Sequence, residues 1–313
     1  PRPPLLASSA ASDVYKRQLY QNGLFRTYAY PPLFNSANLS IRSFISRGQE
    51  KVIGSRDGLF YINEATGMVK SFVKPVLTSD LILTISFYQG EYYIGTYGGG
   101  MMVLNPETLS LKYFSQSDTE LFQKGHIFCV KPDTKGNLWI GTSQGLFNYN
   151  GQTKQIKHFT SANSQLPEGN VYEVSFDSTG KGWIATETGM CIYDPASQNL
   201  RSNVFPEGFV NKDKVRTIYE DSEHNLYFIR EKGSLFTSTL TMDRFRNQSV
   251  FSTLPDNSLM AIVEDNQGWL WVGCNDGLLR IKKEGEEYDA FTFNDGVPGP
   301  TSVSYTHLTL PTK

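Results

Sequence analysis

Carboxylate and imidazole side chains are the groups in this sequence whose spacing could support chemistry. Four aspartates recur at intervals of 44 residues: Asp133, Asp177, Asp221 and Asp265. Carboxylates that converge on one site can act in acid–base catalysis. These four occupy one position of a repeat, in polar turns such as "DTKG" and "DNQG", so they should be spread around the fold. We therefore predict that they bond backbone amides in turns and form no catalytic set.

Metal-ligating residues are scattered. The histidines His126, His158 and His224 occupy different repeat positions, and His307 lies close to the C-terminus. Cys129, Cys191 and Cys274 are far apart, odd in number and without CxxC spacing, which favours buried, free thiols over a disulfide or a metal pair. The "YGGGMM" stretch (97–102) is not followed by a helical pattern, as a phosphate-binding loop would be. The sequence thus predicts no metal, no cofactor and no enzymatic activity.

Composition points to a β-rich protein. The 313 residues include 27 glycines and 13% aromatic residues, which suits short strands joined by tight turns. The formal net charge is −2, from 29 basic and 31 acidic residues, so no electrostatic signal for nucleic-acid binding is present. No apolar run approaches the roughly 18 residues that a membrane span requires.

A repeat of about 44 residues organises the chain. The stretch "GNLWIGTSQGLFNY" (136–149) returns as "KGWIATETGMCIY" (181–193) and "GWLWVGCNDGLLRI" (268–281). The equivalent marker positions are Gly54, Gly95, Gly141, Ala185, Ile229 and Gly273. Four residues after each marker stands a signature glycine: Gly58, Gly99, Gly145, Gly189, Gly233 and Gly277. Two residues before the marker, a bulky side chain recurs: Val52, Tyr93, Trp139, Trp183, Tyr227 and Trp271.

Each repeat should form four antiparallel strands. "NLWIGT" and "GLFNY" are apolar, β-favouring runs, and the turn between them predicts a hairpin whose signature glycine takes positive φ. Another strand precedes the Asp turn, and a fourth follows the hairpin. Four such strands per repeat make one blade of a β-propeller, in which the Trp rings should pack between blades.

The predicted fold is therefore an all-β propeller over residues 19–302, with about six near-complete blades and partial blades at both edges. "LYQNGLFRTYAY" (19–30) matches the end of an earlier blade, and "FNDGVPGPTS" (293–302) resembles the loop that opens another. Residues 1–18 and 303–313 look like translated adaptor sequence, so we expect them to be foreign to the fold and the chain to be an internal fragment.

The repeat resembles the two-component regulator propeller repeat, N-x-V-x-x-I-x-E-D-x-x-G-x-L-W-I-G-T-x-x-G-L-x-x-Y, most closely at 170–193, 213–236 and 257–281. The resemblance implies the extracytoplasmic, periplasmic sensor region of a hybrid two-component histidine kinase. It also implies a downstream β-sandwich, a membrane helix and a kinase, a homodimeric full-length sensor, and oligosaccharides from complex glycans as the signal. Ile229 departs from the small residue of the motif, and Val52 from its Trp.

Candidate ligand-binding residues are those that vary between copies on one predicted face. Loops between second and third strands should share this face with the starts of the inner strands. Sugars are bound by aromatic faces and planar hydrogen-bonding groups, and acidic sugars by Arg. Arg suggests an acidic sugar here, although Glu187 and Asp276 make the predicted field mixed. Our candidates are Arg42, Arg56, Tyr97, His126, Tyr172 and Arg216, with Asp57, Phe128, Gln144, Lys232 and Asn275 nearby.

Two other functions remain open from the sequence. One is a protein-interaction scaffold that uses the propeller rim. The other is a propeller lyase or glycan-active enzyme, for which the stretch "SFDSTGKGW" (175–183) comes close to a sialidase Asp-box but has its glycine one place late. An antibiotic-lactone lyase would need a His-centred metal site, which the His spacing does not supply.

Overall fold

The computed structural model describes residues 16–21, 24–29, 41–114, 121–202, 205, 212–231, 235–241, 245–247, 259–274, 277–283, 288–292 and 295. These residues form an all-β structure with 26 strands and a single short helix, α1 (Leu121–Lys124). Six four-stranded antiparallel blades form a ring, so the fold is a six-bladed β-propeller, as predicted. Within the described ranges, α1 is far too short to cross a membrane, and no other helix is present to do so.

Each blade is built from four consecutive strands, ordered from the innermost to the outermost. Blade 1 contains β3 (Ile41–Arg47), β4 (Glu50–Ser55), β5 (Leu59–Asn63) and β6 (Met68–Phe72). Blade 2 contains β7 (Ile82–Tyr88), β8 (Glu91–Thr96), β9 (Met101–Leu104) and β10 (Leu111–Tyr113). Blade 3 contains β11 (Ile127–Pro132), β12 (Asn137–Thr142), β13 (Gly145–Asn150) and β14 (Ile156–Phe159).

The remaining blades repeat this order. Blade 4 contains β15 (Val171–Phe176), β16 (Gly182–Thr186), β17 (Gly189–Asp194) and β18 (Asn199–Arg201). Blade 5 contains β19 (Val215–Glu220), β20 (Asn225–Arg230), β21 (Leu235–Thr239) and β22 (Phe245–Asn247). Blade 6 contains β23 (Leu259–Glu264), β24 (Trp269–Cys274), β25 (Gly277–Lys282) and β26 (Tyr288–Phe291).

A separate two-stranded sheet precedes blade 1 in the chain. It pairs β1 (Lys16–Gln21) with β2 (Leu24–Ala29). This hairpin falls where the sequence matches the third and fourth strands of a blade. Strand β1 begins inside the segment 1–18 that we predicted to be foreign. The stretch 293–302, predicted to open another blade, lies almost entirely outside the described residues.

Blades pack through the marker position of the second strand. A Cβ atom added to Gly95 would lie 2.7 Å from the Cγ2 atom of Ile127, the first residue of the next blade's inner strand. One added to Gly141 would lie 2.7 Å from the carbonyl oxygen of Val171, which begins the inner strand of blade 4. The small residue therefore recurs because the next blade's inner strand approaches this backbone closely.

The Trp rings fill the space between blades, as the sequence predicts. Trp139 and Trp183 are each 1% exposed. The Trp139 ring lies 4.5 Å, centroid to centroid, from the ring of Tyr193 in blade 4. Trp183 packs at 5.7 Å against Phe228 of blade 5. The rings thus contribute to the hydrophobic core that joins successive blades.

Most signature glycines take the predicted conformation, with one correction. Gly58 and Gly145 have φ of 126° and 109°, and a Cβ atom on Gly58 would lie 2.5 Å from the carbonyl oxygen of Phe72. Gly189 and Gly277 also have positive φ. At Gly99 the prediction of positive φ was wrong, because the hairpin there is longer and Gly98 and Gly100 take that conformation. Gly233 lies outside the described residues.

Gly99 is needed for a different reason. A Cβ atom there would lie 2.6 Å from the Oγ1 atom of Thr78 and 2.8 Å from the backbone nitrogen of Ser79. The Thr78 hydroxyl donates a 2.6 Å hydrogen bond to the Gly99 carbonyl. The loop that leads into β7 therefore rests directly on the Gly99 backbone, which excludes a side chain.

Candidate functional site

Every inner strand has a β-bulge at its second residue. In blade 1, for example, Ile41 pairs with Ser55 and Ser43 pairs with Gly54, so the residue between them has no partner. A bulge redirects one side chain out of the regular alternation of the strand. The bulge residues of blades 1 to 6 are Arg42, Leu83, Phe128, Tyr172, Arg216 and Met260.

All six bulge residues line one cavity in the centre of the ring, which we call the channel cavity. Its volume is about 310 Å³, at the lower end of the range typical of small-molecule sites. Leu81, Tyr97, Lys214 and Thr217 complete the lining. One repeat position therefore supplies the walls of the cavity, and its residue type differs between most blades.

The mouth of the channel cavity is formed by the starts of the inner strands and by the hairpins between second and third strands. The Tyr97 amide donates to the carbonyl of Leu81 across 2.9 Å, and the Glu231 amide donates to that of Lys214 across 2.8 Å. Both bonds join a hairpin to the residue just before the inner strand of its own blade. The predicted sharing of one face by these two sets of loops is thus confirmed.

One side of the cavity is aromatic. The rings of Phe128 and Tyr172 lie 5.1 Å apart, and Tyr97 is half exposed. Tyr97 stacks on the imidazole of His126 with 4.0 Å between ring centroids. His126 is not among the lining residues, and its Nδ1 atom is buried without a hydrogen-bond partner. His126 therefore supports the Tyr97 ring from outside the cavity.

Cationic side chains also line the cavity. Arg42, Lys214 and Arg216 line it, and the Lys214 ammonium lies 4.4 Å from the centroid of the Tyr172 ring. The Tyr172 hydroxyl accepts a 3.0 Å hydrogen bond from the Asn170 side-chain amide, which orients the ring. A cation over an aromatic face is favourable, so Lys214 is held at the cavity wall.

Glu231 partly offsets this charge from outside the lining. Its carboxylate lies 4.0 Å from both the Lys214 ammonium and the Arg216 guanidinium, and the Glu231 side chain is half exposed. That distance exceeds a hydrogen bond, and exposed ion pairs are weak. The two cations therefore retain donors that a ligand can use.

Several candidate residues do not reach the cavity. Arg56 and Asp57 are exposed at the β4–β5 hairpin and do not line it. Gln144 and Glu187 occupy equivalent hairpins, and the Glu187 carboxylate accepts a 3.3 Å bond from the Asn170 amide. Lys232, Asn275 and Asp276 lie outside the described residues. The site thus brings together Arg42, Tyr97, Tyr172 and Arg216, with His126 behind Tyr97.

Sequence reasoning missed Leu83 and Met260, which share the register of Arg42 and Tyr172. Aligning the inner strands by the marker position would have found both. Lys214 was also missed, because it precedes its strand and carries no pattern of its own. Leu81 and Thr217 gave no signal either, since apolar and hydroxyl side chains are common throughout inner strands.

A cluster of Ser178, Glu220 and His224 on the rim superficially resembles a catalytic triad. The Nδ1 atom of His224 lies 3.1 Å from the Ser178 hydroxyl and 2.6 Å from the Glu220 carboxylate. A triad needs the two ring nitrogens to serve the two partners separately, so this geometry cannot relay a proton.

No group of three or more potential metal ligands occurs among the described residues.

The same cluster recurs between blades 5 and 6 without a histidine. The Ser222 amide and hydroxyl donate to the Glu264 carboxylate at 2.6 and 2.7 Å, as those of Ser178 do to Glu220 at 2.7 Å. Lys283 reaches Glu264 at 2.6 Å. These contacts join the Asp turn of one blade to the inner strand of the next, which is a structural role.

Glu173 is a buried carboxyl group that does not line the channel cavity. It follows the bulge residue Tyr172 and is 4% exposed. Burial raises the pKa of Glu173 to about 7, although the Lys131 ammonium at 3.5 Å opposes the shift. This carboxyl group therefore titrates near neutral pH.

Comparisons with known proteins agree with this architecture. Residues 122–144 and 253–276 match the family model "Two component regulator propeller". No curated protein sequence matches the chain. Among solved structures, the extracellular domain of BT3049 from B. thetaiotaomicron, assigned to a hybrid two component system, is 24% identical with a TM-score of 0.55. The extracellular domain of BT4673 from the same organism, assigned likewise, is 20% identical with a TM-score of 0.54.

These likenesses differ in how much of each protein they span. The match covers 90% of this chain but 38% of the BT3049 domain, and 92% of this chain but 40% of the BT4673 domain. A catalytically inactive virginiamycin B lyase from Staphylococcus aureus, solved with quinupristin, is 11% identical with a TM-score of 0.67, covering 88% of this chain and 92% of that one. At these identities the structural likenesses show the propeller fold alone. The sequence matches go further: two segments of this propeller, 122–144 and 253–276, match the two-component regulator propeller repeat.

Proposed function

We propose that this chain is the ligand-sensing propeller of a hybrid two-component sensor, located in the periplasm, and that it binds an oligosaccharide in the channel cavity without catalysing a reaction. The observation behind the proposal is the set of six bulge residues. They occupy one repeat position and face one cavity, yet they include Arg, Leu, Phe, Tyr and Met.

The contrast with the structural positions supports a binding role. The marker and Trp positions keep similar residues because neighbouring blades constrain them, and the signature-glycine position does so mainly because the hairpin of its own blade requires glycine. The bulge position instead directs its side chain out of the sheet and into the cavity. Variation at a position that six blades direct into one cavity is therefore consistent with adaptation to an asymmetric ligand.

The chemistry of the lining suits a sugar. Phe128, Tyr172 and Tyr97 offer ring faces to the C–H face of a pyranose, and Arg42 and Arg216 offer planar donors to its oxygens. The cavity volume of about 310 Å³ would accept the terminal unit of an oligosaccharide, with further units extending through the mouth.

The sensor context rests on the relatives. The family model names two-component regulators, and the BT3049 and BT4673 structures are extracellular domains. A signalling role would require the β-sandwich, membrane helix and kinase that the resemblance implies, together with a homodimer. Ligand binding in the channel would then be the input that such a protein transmits.

Calorimetric titration with a panel of plant and host-glycan oligosaccharides tests the proposal. We expect at least one to bind the wild-type chain, and Tyr172→Ala to weaken that binding at least tenfold. Tyr113→Ala is the matched control, because Tyr113 is 53% exposed on the outermost strand of blade 2. A panel in which no sugar binds, or in which both variants bind as the wild type does, would contradict the proposal.

A further inference from the structure

The charged side chains that line the channel cavity all carry positive charge. Among the described residues, its lining contains three cationic side chains, those of Arg42, Lys214 and Arg216, and no carboxylate. Of the two acidic residues that the sequence placed on this face, Glu187 lies outside the lining and its carboxylate accepts from the Asn170 backbone amide, and Asp276 lies outside the described residues. Glu231 also lies outside the lining, is half exposed, and offsets the charge of Lys214 and Arg216 only in part.

We propose, on the basis of the oligosaccharide-sensing function above, that the channel cavity selects a ligand whose terminal unit bears a compact anionic group, a carboxylate or a sulfate. The cations come from two blades that are not consecutive in the chain. Arg42 is supplied by blade 1, while Lys214 and Arg216 flank the start of the inner strand of blade 5. An anion inside the cavity would therefore meet positive charge from two directions.

The arrangement favours an anion that also has an apolar face. The aromatic and aliphatic side chains of Phe128, Leu83 and Met260 contribute to the same cavity. A uronic acid or a sulfated pyranose carries both features, whereas free inorganic anions lack the second. Charge-assisted bonds from Arg are about twice as strong as neutral ones, so the anionic group should dominate selectivity.

Lys214 is held in place before a ligand arrives. It lies over the Tyr172 ring at 4.4 Å, and its neighbour Glu231 is 4.0 Å away. Part of the entropy cost of ordering this long side chain on binding is therefore already met in the unliganded protein. The contact with Glu231 is long enough for an incoming anion to replace it.

A matched pair of disaccharides tests the inference directly. Cellobiouronic acid and cellobiose differ only in the oxidation of one terminal carbon. Cellobiose with a sulfate ester on the hydroxyl group of that carbon supplies the sulfate case. We expect the acidic or the sulfated disaccharide to bind at least tenfold more tightly than cellobiose at low ionic strength. We also expect added salt to reduce this preference.

Two variants assign the preference to the cavity. Arg42→Ala/Arg216→Ala should lower the acidic-to-neutral preference at least tenfold, whatever the accompanying change in the affinity for the neutral sugar. The single variant Arg216→Gln, a milder change at a partly exposed side chain, should lower it by about threefold or more. Arg201→Ala is the control, since it removes the same charge from an exposed position on the outermost strand of blade 4.

The outcomes separate this inference from the proposed function. Equal binding of neutral and anionic disaccharides, or a preference that survives in both arginine variants, would overturn the anion inference and leave sugar sensing intact. If neither these disaccharides nor any oligosaccharide of the wider panel binds, both proposals fail. If the anionic disaccharides bind more tightly than cellobiose and both variants reduce this preference by the factors given above, the inference is supported.

Discussion

The indole nitrogen of Trp183 donates a 2.8 Å hydrogen bond to the Oδ2 atom of Asp177, across the turn between the first and second strands of blade 4. The Oδ1 atom of the same carboxylate accepts from the amides of Thr179 and Lys181. Blades 3 and 6 repeat the bond between Trp139 and Asp133 and between Trp271 and Asp265. In blade 5, the hydroxyl of Tyr227 donates to Asp221 instead.

This relationship predicts a large stability effect at Asp177. Asp177→Ala should lower the free energy of unfolding by about 2–4 kcal/mol, because a buried indole N–H and two turn amides lose their acceptor. Urea denaturation measures the change. Asp57→Ala, at an exposed hairpin, is the control and should cost less than about 0.5 kcal/mol.

A double-mutant cycle isolates the Asp177–Trp183 bond. Trp183→Phe keeps an aromatic ring and removes the donor, so Asp177→Ala should cost at least about 1 kcal/mol less in that background. Additive effects of the two substitutions would show that the carboxylate acts only through the backbone amides.

Gly145 combines a backbone requirement with a steric one. Its φ is 109°, and a Cβ atom would collide with the carbonyl oxygen of Phe159 at the end of the fourth strand. Gly136 has a φ of 78° and nothing within 4 Å of an added Cβ atom, so it shows the backbone effect alone. We expect Gly136→Ala to cost about 1 kcal/mol and Gly145→Ala several kcal/mol. Thermal unfolding of the two variants measures both values, and equal destabilisation would contradict this account.

Glu173 should make stability depend on pH near neutrality. Its folded pKa of about 7 lies above the ordinary value of 4.5, so the folded state binds more protons than the unfolded state between these values. Stability should therefore fall as pH rises from about 4.5 to 7, by about 2–4 kcal/mol from this group. Glu173→Gln should remove that part of the slope, measured as unfolding free energy against pH. Glu107→Gln, at an exposed position, is the control and should leave the slope unchanged. If Glu173→Gln showed the same slope as the wild type, other groups would be the cause of the pH dependence.

The propeller could be predicted from the sequence because its constraints repeat. The close approach at Gly141, the hairpin at Gly145 and the buried ring at Trp139 each recur wherever the same local geometry does. Gly99 shows the limit of this reasoning. Glycine recurs there as in the other repeats, but the loop that contains Thr78 and Ser79 requires it, and the hairpin turn does not. Only the three-dimensional packing shows this difference.

The binding cavity was only partly predictable. Arg42 and Tyr172 were chosen by side-chain type near the starts of inner strands, and both line it. Leu83 and Met260 were overlooked because candidates were chosen by side-chain type, although both share the repeat register of Arg42 and Tyr172. Arg56 was chosen because it lies on the same face. The sequence repeat does not show how far a side chain on that face is from the cavity, and Arg56 does not line it.

A structure of this chain with its best-binding oligosaccharide at saturating concentration tests the central claim most directly. The account predicts sugar density in the channel cavity, with a pyranose ring against Phe128 or Tyr172 and its polar groups towards Arg42 or Arg216. Sugar bound on the outer strands or on the opposite face, with the cavity holding only solvent, would contradict it.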